Sequence, residues 1–238
     1  PKLLQSIMDQ VEPVLQENGR IPKTSHCTHP AAVVDLGVPV DTAMHYRPQY
    51  PVPLALCPVV DKKVAEWQAR GVVVEVPKHM SGVVGNLPLM VTRKRDIHGN
   101  WTDHRVCQDP RVLNTATPDT ENALPRIKDT FDRLQGFVVA SELDLEESFT
   151  QLRLDDHSAL RTAFTWHGKK LMFVRASFGF KQVSNQFQKI MEIIFQAFAS
   201  SVVIFVDNII VYTKAKEAGE TLEDAVARHA VEVTKVVE

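Results

Sequence analysis

An α+β fold is predicted for this chain of 238 residues, and three stretches carry the prediction. Residues Val202 to Tyr212 set two β-branched runs around an Asp207-Asn208 step, a local signal for a β-hairpin with a carboxylate at its tip. Residues Gly136 to Asp144 read as a second apolar strand that also ends on a carboxylate. Over residues 181–199, Val183, Phe187, Ile190, Met191, Ile194 and Phe198 form one stripe at helical spacing. Antiparallel strands backed by helices on one side make an α+β sheet domain.

The remaining elements follow in order. Leu3, Leu4, Ile7, Met8 and Val11 recur at helical spacing over residues 2–11, and Pro13 is expected to stop the pattern. Residues 18–56 are rich in Pro, Thr and His, with short apolar pieces such as Val33-Val34-Asp35-Leu36. They predict an extended arm that gains order only by lying on the rest of the protein. Pro58 suits a first helical turn, Val60, Val64 and Trp67 share a face, and Gly71 is placed as a C-terminal cap. A strand over Val72–Val76 ends at Pro77. Leu87–Val91 and Arg105–Gln108 read as strands joined by a polar turn through Asp96, His98, Gly99 and Asn100. Beyond residue 124 the expected order is helix 126–135, strand 137–143, short helix 145–151, strands 161–165 and 170–175, the 181–199 helix and the hairpin. A last helix opens with a Thr221…Asp224 capping box and carries Val226, Ala230, Val233 and Val237 on one face.

Composition narrows the function classes. A hydrophobic share of 44% and a charged share of 24% are those of an ordinary globular protein. No apolar run approaches the roughly 18 residues of a membrane span and no signal peptide is evident, so no membrane partner is expected. Net charge is −2, so nucleic-acid affinity has to come from local patches such as Arg93-Lys94-Arg95 or Lys169-Lys170. Cys27, Cys57 and Cys107 are odd in number and widely spaced, which argues against a disulfide framework and fits a reducing compartment. His26-Cys27-Thr28-His29 lacks a second ligand pair and is not read as a zinc site, and Asp103-His104 beside Trp101 is read as a turn. The Pro1 start suggests a piece of something longer. Two carboxylates at strand ends in one sheet, Asp144 and Asp207, are what a magnesium site for phosphoryl transfer needs.

Several motifs in fixed order then resemble the reverse transcriptases of gypsy-type LTR retrotransposons, and more distantly the retroviral enzymes, over roughly residues 30–238. Arg105-Val-Cys-Gln-Asp109-Pro-Arg111-Val-Leu113-Asn114 is similar to the fingers motif ending in Leu-Asn, and Leu124-Pro125-Arg126-Ile127 to the family's Leu-Pro-Arg-Ile. Leu143-Asp144-Leu145 with Phe149 and Gln151 resembles the first catalytic motif. Arg161-Thr162-Ala163-Phe164, Phe178-Gly179 and Phe187-Gln188 match the following palm segments. Phe205-Val206-Asp207-Asn208 sits where the family has an aromatic, one residue and two aspartates.

The resemblance implies a right-hand polymerase fold with fingers and palm and an antiparallel palm sheet backed by helices; within residues 1–238 no thumb is expected, since little sequence follows the last helix. It divides the chain into an N-terminal helix and arm (1–56), fingers with part of the palm (57–124) and palm (125–238). It implies RNA- or DNA-templated DNA synthesis with two Mg2+ ions, or Mn2+, on a template-primer with deoxynucleoside triphosphates. Thumb and ribonuclease H segments are expected on a longer polyprotein, in the cytoplasm within a virus-like particle or in the nucleus. Asp144 and Asp207 would bridge the ions with the main-chain carbonyl of Leu145, and Asn208 stands beside them. Arg105, with Arg93 or Lys94, would clamp the triphosphate. Phe149 occupies the steric-gate position, and Phe178 and Gly179 would line the nucleotide pocket.

The chain departs from the family pattern at Asn208, where a second aspartate is usual. A unit charge pair at about 4 Å is worth about 4 kcal/mol at an effective dielectric of 20, on the order of a thousandfold in rate. Ser177, Gln182-Val183-Ser184, Gln108, Pro110 and Glu146-Glu147-Ser148 also differ from the pattern, and the acidic Glu142, Glu146 and Glu147 would restore part of the missing charge. Two readings result: a polymerase weakened at Asn208, or an inactive, repurposed domain of the same fold that serves as a binding or scaffold module.

Overall fold

The computed structural model describes residues 2–82, 84–119, 124–216 and 219–238. Val83 and residues 120–123 of the expected fingers segment lie outside the described residues, as does the side chain of Ile127. In chain order the elements are α1 (Lys2–Asn18), β1 (Val33–Val34), α2 (Cys57–Ala69), β2 (Val73–Glu75), β3 (Leu89–Arg95), β4 (Trp101–Gln108) and α3 (Arg111–Ala116). There follow α4 (Ile127–Leu134), β5 (Phe137–Asp144), β6 (Arg153–Leu154), α5 (Asp156–Arg161), β7 (Phe164–Trp166) and β8 (Lys169–Phe173). The chain ends with α6 (Val183–Ile194), β9 (Val202–Phe205), β10 (Asn208–Lys214) and α7 (Leu222–Val237). They form two compact units, one of Pro1–Pro22, Asn122–Ser148 and Asn185–Glu238, the other of Lys23–Glu121 and Phe149–Ser184. No helix among the described residues is long and apolar enough to cross a membrane.

The first unit is built on an antiparallel sheet of order β5-β10-β9. Along β5, Val139, Ser141 and Leu143 are half-buried while Ala140, Glu142 and Asp144 are exposed, the alternation of a sheet covered on one face. Helix α7 covers that face through Val226, Ala230, Val233 and His229. His229 is fully buried between Ser141 Oγ at 2.8 Å from Nε2 and Thr213 Oγ1 at 2.9 Å from Nδ1, and burial pushes its pKa below the ordinary histidine value. The expected capping box starts α7: Thr221 Oγ1 accepts from the Asp224 N–H at 3.2 Å and donates to Asp224 Oδ2 at 2.7 Å.

Helix α1 runs straight through Pro13 rather than stopping there. An internal proline removes one backbone hydrogen bond and costs about 3 kcal/mol. Ile7 and Val11 bury against α7, and Asn18 Nδ2 donates to the Val237 carbonyl at 2.8 Å, so tertiary contact outweighs the local penalty.

The second unit holds an antiparallel sheet of order β2-β8-β7, a parallel β1-β6 pair and the β3-β4 hairpin. The β7–β8 loop is His167-Gly168 with φ of 46° and 74°, the positive pair a two-residue turn with right-handed twist requires. Asp61 of α2 fixes it by accepting from Trp166 Nε1 and pairing with His167 Nε2, each at 2.7 Å. The strand expected over 161–165 starts later, at Phe164, as β7, and ahead of it residues 156–161 make the short helix α5, capped by Asp155 accepting from the Ser158 N–H at 3.1 Å.

The arm is ordered as expected, by lying on the rest of its unit. Ala32, Val34, Leu36 and Val38 are buried, and two buried arginines take its carbonyls. Arg161 donates to the carbonyls of Pro39, Val40, Thr42 and Ala43. Arg175 donates to those of Thr24, Ser25 and Thr150.

Candidate functional site

Two strand ends meet in the first unit. Asp144, the last residue of β5, pairs directly with Asn208, the first residue of β10, and Asn208 also pairs with Phe205 of β9. Asp144 and Asn208 therefore share one face of the sheet, the face opposite α7. Asp144 is exposed, while Asp207 and Asn208 are partly covered. Leu145 follows directly, half-buried past the end of β5. Among the described residues no three His, Cys, Asp or Glu side chains cluster as a metal cage.

The tip differs from the sequence expectation by one residue. The turn is Val206-Asp207, with Asn208 already in the strand, because Phe205 and Asn208 are the closing pair. Val206 has φ of 55°, a left-handed conformation that costs a β-branched residue about 1–3 kcal/mol. Asn favours that conformation far more than Val, which is why the sequence points to 207–208 as the turn. A group on another element bonds this turn: Gln188 Oε1 of α6 accepts the Val206 N–H at 2.8 Å.

The remaining expected residues lie in the second unit and fall into two groups. In the first, Phe149 is buried and meets the exposed Phe178 edge-to-face, with ring centroids 4.8 Å apart at 72°. Gly179 has φ of 93°, and a Cβ there would sit 3.2 Å from Pro110 Cγ. Asn114 clasps this loop: its Nδ2 donates to the Gly179 carbonyl at 2.7 Å and its Oδ1 accepts from the Lys181 N–H at 3.0 Å. Asn114 ends the Leu-Asn motif, yet its clasp across 65 residues was not readable from local pattern.

The second group is the exposed β3-β4 hairpin. Thr92 pairs with Arg105 and Arg93 with His104, so Arg93 and Arg105 point to opposite faces. Arg93 and Arg95 instead flank Trp101, at 5.6 Å and 4.1 Å from its ring centroid. Lys94 lies at the register shift between Arg93 and Arg95 and is exposed, as is Arg105. At the base of the hairpin Asp109 is buried. It accepts from Arg111 Nε and NH2 at 2.8 and 2.7 Å and from Tyr50 OH at 2.6 Å. The Arg111 hydrogen bonds, with Tyr50 adding to them, hold its carboxyl well below the usual carboxylate range.

A family model described as "Reverse transcriptase (RNA-dependent DNA polymerase)" matches residues 92–236. Among curated proteins, the Pol polyprotein of the Drosophila melanogaster transposon gypsy is 25% identical over 178 residues, covering 74% of this chain and 17% of that protein. The Pol polyprotein of the Drosophila melanogaster transposon 412 is 32% identical over 124 residues, covering 52% and 10%. The chain thus spans less than a fifth of the length of these curated relatives. Among solved structures, a foamy viral protease-reverse transcriptase in complex with double-stranded DNA matches with a TM-score of 0.67 at 18% identity, covering 99% of this chain and 40% of that one. The same viral protein in complex with an RNA/DNA hybrid matches with a TM-score of 0.62 at 20% identity, covering 81% and 24%. These likenesses show the fold, and it is the right-hand polymerase fold expected from the motifs. With more than half of its length matched by the family model, the chain belongs to the reverse transcriptase family.

Proposed function

We propose that this chain is the fingers–palm part of an RNA-directed DNA polymerase from a gypsy-type element, with its chemistry centred on Asp144 and Asp207. The single observation that carries the reading is the pairing of Asp144 with Asn208 across β5 and β10, with Asp207 on the adjoining turn. The donors available there are oxygens: two carboxylates, the Asn208 amide and the Leu145 carbonyl. Such a set suits a hard divalent cation, Mg2+ or Mn2+, and not zinc. Bound divalent ions would supply activation of a primer hydroxyl and neutralisation of the leaving pyrophosphate.

The chain's own residues do the rest. Asp144 and Asp207 would hold the ions, and Asn208 would offer an acceptor oxygen without the second tip charge. Arg105 binds the triphosphate by charge-assisted hydrogen bonds, and Lys94 joins it, since Arg93 belongs to the opposite strand face. Phe149, braced by Phe178, fills the space a 2′ hydroxyl would need, and Gly179 lets the main chain approach the nucleotide closely. Template-primer of RNA or DNA is the expected partner, in keeping with the nucleic acids in the foamy viral complexes.

Asn208 itself favours a second reading, in which the domain keeps the fold and binds without polymerising. Primer extension on an RNA template with Mg2+ and with Mn2+ decides between them, comparing the natural chain with Asn208→Asp and with Asp144→Asn. Extension by the natural chain that Asp144→Asn abolishes supports polymerisation. Extension by Asn208→Asp alone identifies Asn208 as the lesion, and no product from either sinks the polymerase reading.

A further inference from the structure

The turn that presents Asp207 is held from outside the hairpin. A left-handed residue at a two-residue turn is ordinarily Gly, Asn or Asp, whose side chains tolerate or support it locally. Val206 offers no such support, yet it has φ of 55°. Its N–H is taken by Gln188 Oε1 at 2.8 Å, and the same side chain donates from Nε2 to the Ile204 carbonyl at 3.1 Å. One amide therefore bridges both sides of Phe205, just ahead of the turn. Gln188 is 1% exposed; its bond to the Ile204 carbonyl is buried and its bond to the Val206 N–H is part-buried. Its orientation is dictated as well. Glu192, one helical turn further along α6, accepts from Nε2 at 2.8 Å, and a carboxylate accepts only from the nitrogen end.

We propose that Gln188 is the positioning residue of the Asp207 hairpin: its amide holds the Val206 peptide in the left-handed conformation and so sets the direction in which Asp207 leaves the sheet. The inference rests on the reading of Asp207 as a metal-holding carboxylate. It makes the tip a preorganised element whose geometry is set by α6 and not by turn chemistry, so the residue before Asp207 is free to be apolar and β-branched.

Four proteins test it: the natural chain, Gln188→Met, Gln188→Glu, and Gln188→Met combined with Val206→Gly. The first readout is hydrogen exchange at the Val206 amide. The second is affinity for Mn2+ alone, followed by electron paramagnetic resonance. In Gln188→Met, which keeps length and burial without polar atoms, Val206 protection falls at least tenfold and Mn2+ binding weakens about tenfold. Gln188→Glu keeps an acceptor for Val206 and retains protection above that of Gln188→Met. Adding Val206→Gly returns Mn2+ affinity to within about threefold of the natural chain, because glycine adopts positive φ unaided. Unchanged Val206 protection in Gln188→Met overturns the proposal, as does a glycine double variant no better than Gln188→Met. If Gln188→Met does not fold, Gln188→Glu with natural protection but no Mn2+ affinity overturns it as well. A natural chain that binds no Mn2+ refutes the metal reading of Asp207, while the exchange data still decide what Gln188 holds.

Discussion

Replacing Asn208 with Asp places a carboxylate directly opposite Asp144 in the β5–β10 ladder. Side chains of such a pair stand about 5 Å apart at Cβ. Two unit charges at that distance repel by about 1 kcal/mol in water and about 3 kcal/mol at an effective dielectric of 20. Asp144 is exposed, so the lower figure governs. For a chain of this size about 1 kcal/mol is a fall of roughly 2–4 °C in Tm. A divalent cation reverses the sign, since the added charge that costs stability in its absence strengthens binding in its presence. A tenfold gain in affinity adds about 1.4 kcal/mol at saturating Mg2+. The assay is thermal unfolding of both proteins in chelator and in a Mg2+ titration. Asn208→Asp should melt below the natural chain in chelator and gain more with Mg2+. Equal melting in chelator together with equal response to Mg2+ would refute the shared face of Asp144 and residue 208, and with it the metal reading of the hairpin.

Other consequences can be measured directly. His229 has a lowered folded pKa, so it stays neutral while the unfolded chain protonates, and stability is lost as pH falls below about 6.5. His229→Gln should flatten the fall in Tm between pH 7 and 5.5, and an unchanged slope would exclude this histidine as its source. The carboxyl of Asp109 is depressed in the fold, so its contribution is complete above about pH 4 and disappears as pH falls further. Asp109→Asn should destabilise at neutral pH and reduce the acid sensitivity of the chain, read by urea unfolding at pH 7 and pH 3. Gly179→Ala brings a Cβ to 3.2 Å from Pro110 at φ of 93°, and should cost about 1–2 kcal/mol. A neutral Gly179→Ala in the same unfolding assay would contradict the close packing of that loop.

Much of this architecture was legible because it follows from period and burial. The 202–212 hairpin, the β5 strand and the α7 cap each carry a local signal that the packing reinforces. The one-residue shift of the turn shows where that legibility stops. Asn208 is the better turn former, yet the turn falls on Val206, whose N–H bonds a side chain eighteen positions upstream in α6, a contact that local pattern does not reveal. Pro13 was read as a stop because the contact of α1 with α7 joins the two ends of the chain. Helix α5 spans six residues, too short to show a helical period, and its Asp155 cap is the only local trace of it. At the site, Asp144 and Asp207 stood out as carboxylates beside apolar runs. The opposite facing of Arg93 and Arg105 depends on strand register across the hairpin, which composition does not reveal.

Arg161 and Arg175 bring two positive charges into the interior of their unit, and among the described residues neither takes a carboxylate partner. The arm's own carbonyl oxygens act as the solvent shell of these cations. A segment with almost no regular secondary structure is thereby tied to the core at two points, because lifting residues 39–43 would strip Arg161 and lifting residues 24–25 would strip Arg175. Each end of residues 23–43 should therefore resist opening at the cost of one unsolvated guanidinium, and the stretch that looks most like a tether is pinned at both ends.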